Sequence, residues 1–147
     1  MHREYRKTGH VTYYARYHIV WIPKYRKKIL IAGVASYLRI KLVEITKYYP
    51  EIEYIEINIQ LDHIHLLVLL PPIFGVPKLV NILKSNTSVA LKNKFKFLEQ
   101  VYPDGKLWST GYFMSTVGID ESIIKAYIRN QEQEDIGQAT AQLKLEL

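Results

Sequence analysis

The sequence predicts an α+β domain of ferredoxin-like type. In this split β-α-β pattern, a four-stranded antiparallel sheet carries helices on one face, and a C-terminal helix follows. Three observations predict it. Apolar periodicity switches along the chain in the order strand, helix, strand, strand, helix, strand, helix. Prolines and glycines fall at the switches. Composition shows no break over 147 residues, so one domain is expected, with a core of about 10–118.

Residues 11–22 are β-branched and aromatic and stop at Pro23, a first strand. From Gly33 to about Tyr49, Val34, Tyr37, Leu38, Leu42 and Ile45 follow the 3.6-residue period of a helix, and Pro50 ends it. Glu51 to Ile59 alternates apolar and polar residues, as a half-buried strand does. Gln60, Leu61 and Asp62 form a short connection. His63 to Leu70 is the next strand, expected to pair antiparallel with its predecessor and ended by Pro71-Pro72. Pro77 suits a first helical turn and opens a helix to about Phe97, with Leu79, Ile82, Leu83, Val89 and Ala90 on its stripe. Pro103-Asp104-Gly105 is a turn. Gly111 to Val117 is a fourth strand. Gly118 separates it from a helix over about 120–135, with Asp120 as N-cap and Glu121 in the first turn. Gly137 is expected to break that helix, leaving 136–147 as a tail or weak helix.

Composition removes several function classes. The chain has no cysteine, which excludes disulfides, thiolate metal sites and cysteine nucleophiles. No stretch approaches the ~20 apolar residues of a membrane span, and the N-terminus lacks the apolar run of a signal peptide, so a cytoplasmic protein with no membrane partner is expected. The net charge of +6 is uneven: residues 1–28 hold eight Lys/Arg against Glu4 alone, and residues 131–147 are net acidic. The basic segment interleaves Tyr5, Tyr13, Tyr14, Tyr17 and Tyr25, which suits a phosphate backbone with stacked bases, although a solvated surface would look the same.

Chemistry concentrates in two places. In Asp62-His63-Ile64-His65, the histidines stand at i and i+2 of a strand and so share one face. Each imidazole in an apolar setting must find a partner, and two side by side can hold one metal ion. Asp62 is placed to add charge or to bond a ligand from behind. His18, on the first strand, reads as a core or surface residue rather than a ligand. On the last helix, Tyr127 and Gln131 are four apart and share a face, a phenol and one turn later an amide oxygen. Two imidazoles and one amide oxygen, with open positions, suit Mg²⁺ or Mn²⁺ better than zinc. A neutral phenol of pKa ~10 is a poor nucleophile at pH 7. Lys125 and Arg129 flank Tyr127 and are candidates to lower its pKa or to hold phosphates. A metal would polarise a phosphate oxygen, and tyrosine attack on a phosphodiester conserves the bond for later rejoining. No nucleotide cofactor is needed, consistent with the lack of a Walker-type glycine loop.

These residues resemble a known family. His63-Ile64-His65 is similar to the histidine–hydrophobe–histidine motif of the HUH nucleases. Residues 17–26, Asp62 to Leu66, Trp108 with Gly111-Tyr112-Phe113, Ser115 to Gly118, and Tyr127 to Gln131 resemble, in order, the segments of the single-tyrosine transposases of the IS200/IS605 group. The resemblance implies a ferredoxin-like homodimer that joins sheets edge to edge, with Tyr127 of one subunit facing His63 and His65 of the other. It implies single-stranded DNA with subterminal hairpins as substrate and Tyr127 as the nucleophile forming a 5′-phosphotyrosine. It further implies Gln131 as the third metal ligand and Gly118 as the hinge of the tyrosine helix. Lys24, Arg26, Lys27, Lys28, Lys84, Lys92 and Lys94 are candidate phosphate contacts by charge. Two other readings remain at this point: a domesticated enzyme that nicks single-stranded hairpins, and a non-catalytic ferredoxin-like module that binds nucleic acid through aromatics on an open sheet face.

Overall fold

Residues 14–146 are described in a computed structural model; residues 11–13 of the expected first strand, with Tyr5 and Tyr13, lie outside them. Four strands, β1 (Ala15–Trp21), β2 (Glu53–Gln60), β3 (His63–Leu70) and β4 (Phe113–Ser115), form one antiparallel sheet in the order β2-β3-β1-β4. The helices are α1 (Ala32–Ile45), α2 (Val76–Lys94), the short α3 (Phe97–Val101) and α4 (Glu121–Glu146). A 3-10 turn, Lys24–Arg26, follows β1. The order and topology are those of the ferredoxin-like pattern.

Strand period decides which helix covers which face. Ile19 and Trp21 of β1 point to one side with Ile64, Leu66, Val68 and Leu70 of β3. There they meet Val34, Leu38, Leu42 and Ile45 of α1 and Leu79, Val80, Leu83 and Leu91 of α2, the main core. Val20 and Ile22 point to the other side, where Ile124 and Ile128 of α4 cover them, with Phe113, Ile119 and Tyr127 at the margin. Burying each such side chain stabilises by roughly 1.5–3 kcal/mol, so α4 is docked by a small apolar patch.

Several sequence expectations shift. The expected helix to Phe97 ends at Lys94. Phe95 leaves helical backbone and sets its ring edge-on to Tyr37, and a separate α3 begins at Phe97. Val89 is 59 % exposed; the buried stripe instead includes Thr87, whose hydroxyl accepts the Trp108 Nε1–H and donates to the Leu83 carbonyl. β4 is three residues rather than seven, the length that pairs with His18–Val20. β2 carries a register shift between Tyr54 and Glu56, which breaks its alternation. Gly137 does not break α4, and the expected 136–147 tail is helical to Glu146. A helical glycine costs only about 0.5–1 kcal/mol, and Gln138, Ala139, Ala141, Gln142 and Leu143 propagate the helix beyond it.

Candidate active site

His63 and His65 lie on the α4-side face of β3, the face opposite Ile64 and Leu66. His63 Nδ1 donates to Asp62 Oδ1 at 2.9 Å, which fixes its tautomer and leaves Nε2 with a lone pair for a ligand. The other oxygen of Asp62 accepts Arg26 Nε at 2.8 Å, and Arg26 Nη1 reaches Glu132 of α4 at 3.4 Å. Burial alone would raise the Asp62 carboxyl. The bonds from His63 and Arg26 outweigh it and hold the group below the ordinary carboxylate range. Arg26 is raised in turn, chiefly by its Asp62 bond. His65 Nε2 lies 3.1 Å from His18 Nδ1, one ring donating to the other. Burial first, then the His18 charge, push His65 down, so it is neutral at pH 7. His18 is thus part of the site, as the partner of His65; the register that aligns the β1 and β3 faces, not any local pattern, places it there.

The tyrosine helix begins as its sequence predicts. Asp120 Oδ1 accepts the Ile123 backbone N–H at 3.0 Å and the Ser122 hydroxyl at 2.6 Å. About two turns on from Asp120, the Tyr127 ring packs on Phe113, with centroids 5.9 Å apart. Its hydroxyl is buried with no hydrogen-bond partner among the described residues. Burial, followed by the Asp135 charge, raises the phenol well above its ordinary value. The expectation that Lys125 and Arg129 lower it is therefore overturned. Both point to solvent, and among the described residues Lys125 reaches only Glu121, at 4.0 Å. Phe113, Val20 and His65 lie abreast on β4, β1 and β3. The ring under Tyr127 is therefore two strand spacings, ~10 Å, from the histidine pair.

Gln131 bonds Asp135 rather than either histidine: its Nε2 donates to Asp135 Oδ1 at 3.3 Å, and its Oε1 lies 3.6 Å from where a Cβ on Gly111 would stand. Asp135, 1 % exposed, also accepts the Ser109 hydroxyl and the Tyr25 backbone N–H, each at 2.8 Å. No local sequence motif marks Asp135. Its i+4 spacing from Gln131 was legible, but its partners come from two distant segments.

The candidate phosphate cations divide. Lys27, Lys28 and Lys94 are exposed. Lys92 donates to the Gly105 carbonyl at 2.7 Å, and Lys84 donates to the Ser109 and Gly111 carbonyls at 2.7 and 2.6 Å, holding the loop before β4. Burial lowers Lys84 to about 8, against the opposing pull of Asp135. Arg26 is occupied by Asp62 and Glu132, and Lys24 is buried. Gly118 lies in the irregular segment between β4 and α4, and a Cβ there would meet nothing within 4 Å.

For a divalent cation, the donor chemistry fits. His63 offers Nε2, His65 is neutral, and Gln131 supplies an amide oxygen. His65 would have to exchange His18 for the ion. Among the described residues no three His, Cys, Asp or Glu side chains converge, and the Gln131 amide, here turned to Asp135 and Gly111, would have to leave them to join the histidines.

Comparisons with known proteins place the chain and its fold. The family model for IS200-like transposases matches residues 11–131. The transposase for insertion sequence element IS200 of Salmonella typhimurium is 34% identical over 131 residues, covering 86% of this chain and 83% of that protein. The ISDra2 transposase TnpA of Deinococcus radiodurans is 29% identical over 133 residues, 90% and 94% of the two chains. A crystal structure of a chain assigned as a transposase from Deinococcus radiodurans superposes with a TM-score of 0.76 at 29% identity, covering 86% of this chain and 97% of that one. A REP-associated tyrosine transposase bound to a REP hairpin shares the fold, with a TM-score of 0.52 at 11% identity over 83% and 68% of the chains.

Proposed function

Since the chain belongs to the IS200-like transposase family, we propose that it cleaves and rejoins single-stranded DNA at hairpin-bearing element ends through a 5′-phosphotyrosine on Tyr127. A divalent cation, Mg²⁺ or Mn²⁺, would be held by His63, His65 and Gln131. The hairpin is the ligand of the REP-associated fold relative, and the proposal extends it to this chain.

One observation carries the reading. A continuous path of side-chain contacts, Glu132–Arg26–Asp62–His63, ties the tyrosine helix to the histidine strand, although the two are distant in sequence. A core role for the histidines would not call for it. In the cleavage step, the Tyr127 phenol gives up its proton as its oxygen bonds to phosphorus, the P–O3′ bond breaks, and the 3′ oxygen leaves and takes up a proton. In rejoining, a free 3′-hydroxyl attacks the phosphotyrosine and the phenol is restored. When bound, the cation polarises a non-bridging phosphate oxygen and so eases attack. Asp62 holds His63 with Nε2 outward, and Arg26 holds Asp62.

The buried, unpartnered phenol corresponds to a resting placement. An unmade hydrogen bond costs about 1–3 kcal/mol, a penalty released when the hydroxyl leaves Phe113 for substrate. Residues 116–120, with Gly118 as hinge, would permit that movement. The outer edge of β4 has no neighbouring strand among the described residues, and the proposed homodimer joins two sheets there. Each site would then combine one protomer's histidines with the Tyr127 and Gln131 of the partner's α4. The rival non-catalytic module is disfavoured because α4 covers the sheet face that stacking would need.

The test is incubation with single-stranded hairpin DNA and Mn²⁺ or Mg²⁺, followed by denaturing electrophoresis. A denaturation-resistant protein–DNA adduct is expected, lost in Tyr127→Phe and with chelator. An adduct retained in Tyr127→Phe overturns the assignment of the nucleophile.

A further inference from the structure

A cavity of about 520 Å³ opens between the Lys24–Arg26 turn, the 104–106 turn and the C-terminal half of α4. It takes no part in the chemistry above. We propose that it is a nucleotide pocket, holding one nucleotide of the bound single strand with its phosphate between Lys24 and Lys106 and its base against Tyr25. The proposal rests on the single-stranded DNA reading and gives that reading a specificity site.

Three observations converge on the cavity. Lys24 lines it and is only 9 % exposed, yet among the described residues its ammonium has no carboxylate partner, only the Tyr25 ring at 5.5 Å. Lysines are rarely this buried without a counter-charge, so an anion is the missing partner. The backbone there is firmly placed: Lys24 N–H donates to Leu107 at 2.8 Å, and its carbonyl accepts the Tyr102 hydroxyl at 2.8 Å.

The second observation is strain. Tyr25 and Arg26 have φ of 61° and 54°, two consecutive non-glycine residues in the left-handed region. Such backbone persists only where the surroundings enforce it, and it clusters at binding sites. Here the buried Asp135 carboxylate enforces it by accepting the Tyr25 N–H. This gives Asp135 a place in the pocket's architecture.

The third is the lining. Lys106 also lines the cavity, and Asp104, the one lining carboxylate among the described residues, accepts the Lys106 backbone N–H at 3.2 Å. The amide of Gln138 on α4 offers a donor and an acceptor to a base edge, and Gln142, one helical turn on, lines the same wall. Leu143 and Ala139 supply apolar wall. Two cations, a tyrosine ring and the Gln138 amide match the parts of a nucleotide, and the volume lies within the range of about 300–1,000 Å³ typical of ligand pockets.

The full chain is titrated with each deoxynucleoside 5′-monophosphate and with inorganic phosphate, followed by ligand-observed NMR, while melting curves confirm folding. At least one nucleotide is expected to bind about tenfold tighter than phosphate. Lys24→Met and Tyr25→Ala should each weaken it about tenfold, one stacked base or one ion contact being of that order. Lys106→Gln, on the exposed wall, repeats the test should the turn variants unfold. Equal affinity for phosphate and nucleotides, or nucleotide binding unchanged in all folded variants, overturns the pocket. The adduct assay separates the two readings. Adduct formation without nucleotide binding sinks the pocket alone; nucleotide binding lost on Lys24→Met in a chain that forms no adduct leaves the pocket standing and sinks the cleavage reading.

Discussion

Asp135→Ala puts the docking of α4 to a quantitative test. Asp135 is 1 % exposed and accepts three donors: Tyr25 N–H at 2.8 Å, the Ser109 hydroxyl at 2.8 Å and Gln131 Nε2 at 3.3 Å. Removing the carboxylate leaves the first two without an acceptor, and Ser109 is itself buried. Gln131 is part-exposed and can turn to water. Each stranded donor costs about 1–3 kcal/mol. Water entering the vacated space, and relief of the carboxylate's own desolvation, bring the sum to about 3 kcal/mol. At about 2–4 °C per kcal/mol for a chain of this size, the melting temperature should fall by about 6–12 °C. Urea unfolding at pH 7, followed by circular dichroism with the m-value held constant, measures the difference. Asp135→Asn keeps one acceptor and should lose about half as much. A loss below about 1 kcal/mol for the alanine variant would refute the claim that this carboxylate pins the helix to the Lys24–Arg26 turn.

Other outcomes follow from the same contacts. Tyr127→Phe should hold or gain stability by up to about 1 kcal/mol, since it deletes a buried unpartnered hydroxyl, while abolishing adduct formation; urea unfolding checks the first and electrophoresis the second. Lys84, at about 8 in the folded chain against its ordinary 10.5, leaves the unfolded chain with more bound protons between those values. Stability should therefore rise with pH across that window, by about 1–2 kcal/mol after allowance for solvent, and Lys84→Met should flatten the rise in a pH series of urea midpoints. His63→Ala should fold as wild type does but bind Mn²⁺ at least about tenfold more weakly by calorimetry; global unfolding would mark a core histidine instead. Gly118→Ala should leave the melting temperature within about 2 °C, because its Cβ meets nothing, while slowing rejoining if the segment is the hinge.

The fold was legible where period and punctuation were strong. The Ile52–Ile59 alternation, the Val34–Ile45 stripe and the proline stops placed three elements within a few residues. The limits of α2 and α4 were not legible, because tertiary contacts decided them: Phe95 sets its ring edge-on to Tyr37, and α4 continues past Gly137. At the candidate site, spacing put His63 beside His65 on one strand face and Tyr127 one turn from Gln131, while their roles came from the family resemblance; the bond expected from Asp62 is made to His63. His18 and Asp135 were not, because each acquires its role from a partner distant in sequence, His65 and Tyr25 respectively. Lys84 and Lys92 looked like phosphate contacts by charge, and in the fold they hold backbone carbonyls instead.

The nucleophile itself can be read directly. Trypsin cuts after Lys125 and Arg129, so Ala126–Arg129 is released as a short peptide whose one tyrosine is Tyr127. After reaction of the full chain with single-stranded hairpin DNA and Mn²⁺, and nuclease trimming, mass spectrometry should find that peptide carrying a 5′-linked nucleotide. A nucleotide on a peptide bearing any other tyrosine, or none at all while the DNA is cut, would contradict the account.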